Sequence, residues 1–115
     1  MKTSNIILGE NVLIDSSTSI NNVTIGSNVK IAKRCSIFGS EEYPLVIGEG
    51  TYIGMNTILN GFKAKLYIGK RVSIAQNVNI MVDSGPNASL EMQKIYPIIE
   101  GEVSIGDDSW VGANA

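Results

Sequence analysis

The chain has 115 residues, 43% apolar and 17% charged, which suits one small domain and excludes a disordered segment. Nine basic against eleven acidic side chains leave a net charge of −2 with no polybasic run, so neither nucleic acid nor an anionic membrane has electrostatic support as a partner. Zero histidines and a single cysteine, Cys35, exclude His-ligated zinc, a serine–histidine hydrolase, a histidine general base and an intrachain disulfide.

The start, Met1 to Asn5, leads into only three apolar residues, Ile6 to Leu8, before Gly9 and Glu10. No signal peptide or membrane span can be drawn there, and the expected address is the cytoplasm. The apolar residues are dominated by 17 Ile, 9 Val and 6 Leu, and 12 Gly accompany them. That composition favours short strands joined by tight corners.

From Leu8 onward an aliphatic mark recurs every six residues. The marks are Leu8, Ile14, Ile20; Ile25, Ile31, Ile37; Ile47, Ile53, Leu59; Ile68, Ile74, Ile80; and Ile105, Val111. Two residues before each mark stands a second apolar or small residue, such as Val23, Val29 and Cys35, and residues two apart share one face of a strand. Three residues after seven of the fourteen marks stands a corner residue: Asn11, Asn28, Gly50, Asn56, Asn77, Asp108 or Asn114. These residue types tolerate the left-handed backbone that a sharp turn demands. The unit is a short strand, a corner and the next short strand; neither a helix nor a hairpin sheet has this period.

The steps run in threes, so three hexapeptides make a three-sided coil. Between threes the step changes to 5, 10, 9 and then 25 residues, always at the same corner of the triangle. Insertions along one edge of a solenoid usually build its binding surface. One domain of about five coils is expected over 1–115, with an excursion loop at 81–103 and the last coil incomplete. Within the excursion, Leu90 to Tyr96 is expected to form a short helical turn ending before Pro97.

This pattern resembles the hexapeptide-repeat acyltransferases, an all-β family of left-handed parallel β-helices, over residues 6–115. The long excursion and the stretch Ile105-Gly106-Asp107-Asp108-Ser109-Trp110-Val111-Gly112-Ala113 look like the galactoside, maltose and polysaccharide O-acetyltransferases, whose motif reads Ile-Gly-Asp-x-x-Trp-Ile-Gly-Ala. The resemblance implies a homotrimer with acetyl-CoA as co-substrate, lying in a groove between subunits, and a sugar hydroxyl as acceptor. It implies no metal. Trp110, Gly112 and Ala113 would bind the donor, and the Ala113 amide would hold the developing oxyanion.

In two places the chain departs from that family. The family's catalytic histidine would fall near Gly85, where the sequence has none, and Asp83 is the one ionisable side chain from Met81 to Ser89. Asp83 is therefore the candidate base, although an ordinary carboxylate, with a pKa near ~3.9, is a weak base for a hydroxyl. The fifth coil stops at Ala115 after two of its three sides, whereas family members usually continue, so a C-terminally short transferase is expected. Both departures also support an alternative, a non-catalytic or truncated trimeric β-helix that has lost acyl transfer.

Overall fold

A computed structural model describes residues 4–115. The first coil contributes β1 (Ile6–Leu8), β2 (Leu13–Ile14) and β3 (Ser19–Asn21). The second contributes β4 (Val23–Ile25), β5 (Lys30–Ile31) and β6 (Ser36–Phe38), and the third β7 (Leu45–Ile47), β8 (Tyr52–Ile53) and β9 (Ile58–Asn60). The fourth contributes β10 (Leu66–Ile68), β11 (Ser73–Ile74) and β12 (Asn79–Met81). An excursion holds β13 (Asp83–Ser84), α1 (Leu90–Ile95) and β14 (Ile99–Glu100), after which β15 (Val103–Ile105) and β16 (Trp110–Val111) rejoin the stack.

Equivalent strands of successive coils pair in parallel and build three sheets. Sheet A runs β1-β4-β7-β10-β15, sheet B runs β2-β5-β8-β11-β16 and sheet C runs β3-β6-β9-β12. Register follows the six-residue marks without slippage: Ile14 pairs with Ile31, Ile31 with Ile53, Ile53 with Ile74 and Ile74 with Val111. The expected parallel β-helix is therefore the fold of the chain.

Both interior columns are closed in the middle coils, where Val23, Ile37, Leu45, Ile53, Leu59, Ile68, Ile74 and Val78 are all fully buried. Burial of each such side chain contributes about 1.5–3 kcal/mol. Cys35 lies in the same column, and burial pushes its thiol up from the ordinary range, so it packs as a core residue. Thr18, Thr51 and Thr57 replace aliphatics without leaving a polar orphan. The Thr51 hydroxyl donates to the Gly69 carbonyl at 2.9 Å and accepts from the Val72 amide at 3.1 Å. Each of the three hydroxyls thus ties one coil to its neighbour.

Coil spacing also explains the glycines that follow the marks where another coil stacks on top: Gly9, Gly26, Gly48, Gly54 and Gly69. A Cβ at Gly54 would lie 2.5 Å from the Ala75 carbonyl carbon of the next coil. All seven expected corner residues adopt positive φ, between 56° at Asn11 and 72° at Gly50. Arg34 (φ 55°) and Arg71 (φ 53°) do so as well, which the sequence did not suggest. Each is held by the adjacent coil: Arg71 Nε and Nη2 donate to Asp108 at 2.7 and 3.1 Å, and Arg34 Nε donates to Asn56 Oδ1 at 2.9 Å.

Candidate functional site

Three surfaces hold or border the candidate residues Asp83, Trp110, Gly112 and Ala113 and the corner where the step changes. The first is the outer face of sheet B, where register aligns Leu13, Lys30, Tyr52, Ser73 and Trp110 in one row across the coils. The row follows from residue parity, since each member directly precedes an inward mark. Trp110 is 83% exposed and Tyr52 44%, so both rings are open to a ligand or a second subunit. Around Tyr52, Leu13, Lys30, Lys33 and Met55 enclose an open groove of about 500 Å³.

Beyond Trp110 the chain turns with Gly112 and Ala113 exposed. Ladder bonds here run from the Ala75 amide to the Val111 carbonyl and from the Asn114 amide to the Gln76 carbonyl, passing over Ala113. A Cβ at Gly112 would meet nothing within 4 Å. Tyr52 and Trp110 stand two coils apart on this face with Ser73 between them, and Lys30 lies beside Tyr52 in the next coil.

The second surface is the excursion. It is more ordered than the expected loop at 81–103, because Met81 and Val103 belong to coil strands and the segment between them folds on itself. β13 and β14 pair antiparallel, Asp83 opposite Glu100 and Ser84 opposite Ile99. The helical turn expected before Pro97 is α1. Ser89 caps it by accepting from the Met92 amide at 3.2 Å, and Lys94 pairs with Glu91 at 3.2 Å.

Gly85 sits where the hairpin strands cross closely: a Cβ there would lie 2.8 Å from the Ile98 Cα. A histidine at this position therefore has no room unless Ile98 moves. Asp83 is half-buried, with its partner Glu100 on the same face of the hairpin. No sequence signal announced Glu100, because the two positions lie far apart and share no period.

The third surface is the corner joining sheet C to sheet A, where every change of step falls. The loops after β6 and β9 and the excursion stack there and enclose a cleft of about 650 Å³, lined among others by Tyr43, Phe62, Lys63, Glu41, Glu42 and Glu100. Hydrogen bonding and charge from Glu42 raise the Tyr43 phenol above its ordinary range, with smaller contributions from burial and from the charges of Glu100 and Glu102. The structure does not bring Asp83 and Trp110 together within one chain. Asp83 stands at the corner between sheets C and A, and Trp110 stands on sheet B across the triangle.

No protein-family model matches the chain. It is 33% identical over 96 residues to the carboxysome assembly protein CcmM of Nostoc sp. (strain PCC 7120 / SAG 25.82 / UTEX 2576), covering 84% of this chain and 16% of CcmM. Among solved structures it is similar to AntD, an N-acyltransferase from Bacillus cereus, in complex with dTDP and 3-hydroxybutyryl-CoA. That match has a TM-score of 0.78 and 24% identity, over 96% of this chain and 61% of AntD. An AntD variant in complex with dTDP-4-amino-4,6-dideoxyglucose and Coenzyme A matches with a TM-score of 0.66 and 23% identity, over the same shares. The chain thus spans less than two thirds of the proteins it resembles. With its three-sided coils and a six-residue repeat that stays in register from coil to coil, it is a parallel β-helix of the hexapeptide-repeat type.

Proposed function

We propose that this chain is the β-helix of an acyltransferase that moves an acyl group from coenzyme A to a sugar, with acetyl-CoA as the donor and a hydroxyl as the acceptor. The observation that carries the reading is the outer row of sheet B, which ends in Trp110-Val111-Gly112-Ala113 at an open corner and stands on the fold it shares with AntD. In the reaction the acceptor oxygen bonds to the thioester carbonyl carbon as its proton passes to a base, the carbon–sulfur bond breaks, and the base returns that proton to the departing sulfur to give the free thiol. Asp83 is the candidate for that base, and the Ala113 amide is the candidate donor to the developing oxyanion. Because Asp83 and Trp110 lie on opposite sides of the stack, a site that uses both draws them from two copies, as in a homotrimer. The test is release of free thiol from acetyl-CoA with a panel of sugars. Acceptor-dependent release supports the reading, and release indistinguishable from buffer for every sugar contradicts it.

A second reading has its own support. The chain holds no histidine, a side chain at residue 85 would have to displace Ile98, and CcmM is an assembly protein. A non-catalytic trimeric β-helix is the function left if thiol release is absent while the chain sediments as a trimer.

A further inference from the structure

Asn60 and Gly61 lie where β9 ends and the second insertion begins. Asn60 is the only asparagine of the chain that is followed by glycine. The amide nitrogen of the following residue is the natural nucleophile for an asparagine side chain, and a glycine leaves that nitrogen uncrowded because it has no Cβ. After Asn11, Asn22, Asn28, Asn56 and Asn77 comes Val or Thr, whose branched Cβ crowds the approach. Two hydrogen bonds act on the Asn60–Gly61 peptide in opposite senses. The Phe62 amide donates to Asn60 Oδ1 at 3.2 Å, which folds the side chain back over the Gly61 peptide and polarises its carbonyl. The Gly61 amide donates to the Phe38 carbonyl of the preceding coil at 2.8 Å, which keeps its proton in place and its nitrogen turned into the ladder. The first bond brings the electrophile close, and the second holds the nucleophile back.

We propose that Asn60 is a site of spontaneous deamidation, latched by the bond from Gly61 to Phe38 and released when the second insertion opens. In the reaction the Gly61 nitrogen loses its proton to a solvent base and bonds to Asn60 Cγ. The Cγ–Nδ2 bond breaks, and the nitrogen takes a proton from solvent and leaves as ammonia. Water then opens the succinimide ring at one of its two carbonyls, giving aspartate or isoaspartate. Either product places a carboxylate in register with Phe38 and Met81 of the adjoining coils. Isoaspartate also adds a methylene to the backbone, which carries the Gly61 amide out of line with the Phe38 carbonyl. The change is delivered to the insertion bearing Phe62 and Lys63, while Ile58 and Leu59 before it keep their pairing. This inference is independent of acyl transfer.

The test is incubation of the full chain at mildly alkaline pH, native and in urea, followed by peptide mapping and an isoaspartyl methyltransferase assay. In urea, Asn60 is expected to convert before every other asparagine. In the native chain its conversion should be slower by about 10-fold or more, because only molecules with the latch open react. A Cβ at Gly61 would lie 2.9 Å from the Leu66 Cβ, so Gly61→Ala is a poor probe. Asn60→Gln, at a half-buried position, serves instead and should abolish the early isoaspartate signal. Equal rates in the native chain and in urea would remove the latch and overturn the proposal. Another asparagine converting first in urea, or an isoaspartate signal undiminished in Asn60→Gln, would remove the site and overturn it as well.

Discussion

The coils and the excursion divide the molecule between them. In the middle coils every second side chain of the strands is buried, and each strand is bonded on both sides by the same register repeated. The hairpin and helix of the excursion bury nothing in α1, and they leave Leu90 77%, Ile95 68% and Ile99 73% exposed. The candidate site residues lie at the margins of the stack: Asp83 and its partner Glu100 on the hairpin, Trp110 and Ala113 on the last coil. The coils supply a rigid rule of spacing, and the insertions use it to hold polar groups at one corner.

If this division holds, the two regions answer differently to substitution. The largest effect is expected at Asp83. Asp83→Asn should lower acceptor-dependent thiol release by about 10²- to 10⁴-fold, with the thermal unfolding curve unchanged. Turnover equal to wild type would remove Asp83 from the chemistry. Next in size is the core. Ile74→Ala, at a fully buried position in sheet B, should cost about 2–5 kcal/mol in urea unfolding, whereas Ile99→Ala on the hairpin should stay within about 0.5 kcal/mol. Equal losses at the two sites would mean the excursion is part of the core.

The smallest effect is at the corner columns. The hydrogen bond from Arg71, and then its charge, hold the Asp108 carboxyl below the ordinary carboxylate range. A group with a lowered folded-state pKa adds stability above its unfolded pKa and loses it as pH falls through the folded one. Wild type should therefore unfold slightly later than Asp108→Asn above about pH 5, and the two curves should converge below about pH 3. A gap that persists in acid would show that the ion pair is not its cause.

Much of the coil structure was legible because its cause is periodic. A core residue every six positions, an inward partner two before it and an Asn, Asp or Gly three after it each leave a mark that needs no tertiary knowledge. Arg34 and Arg71 escaped because arginine has no intrinsic liking for the left-handed region; the neighbouring coil imposes it and supplies the bonds that hold it. The outer row of sheet B was legible from parity alone. The opposition of Asp83 to Glu100 was not, since a hairpin closed by two strands of two residues has no period. The corner cleft was half legible: the changed steps located it, and only the fold shows that Glu100 comes beside Tyr43.

The account stands most directly on whether the face ending in Trp110 binds the donor. Trp110 is the sole tryptophan, so its emission during an acetyl-CoA titration of the intact chain reports on that face alone. A saturable change in emission is the predicted result. Emission that stays flat to millimolar acetyl-CoA would contradict the account and leave the assembly reading in its place.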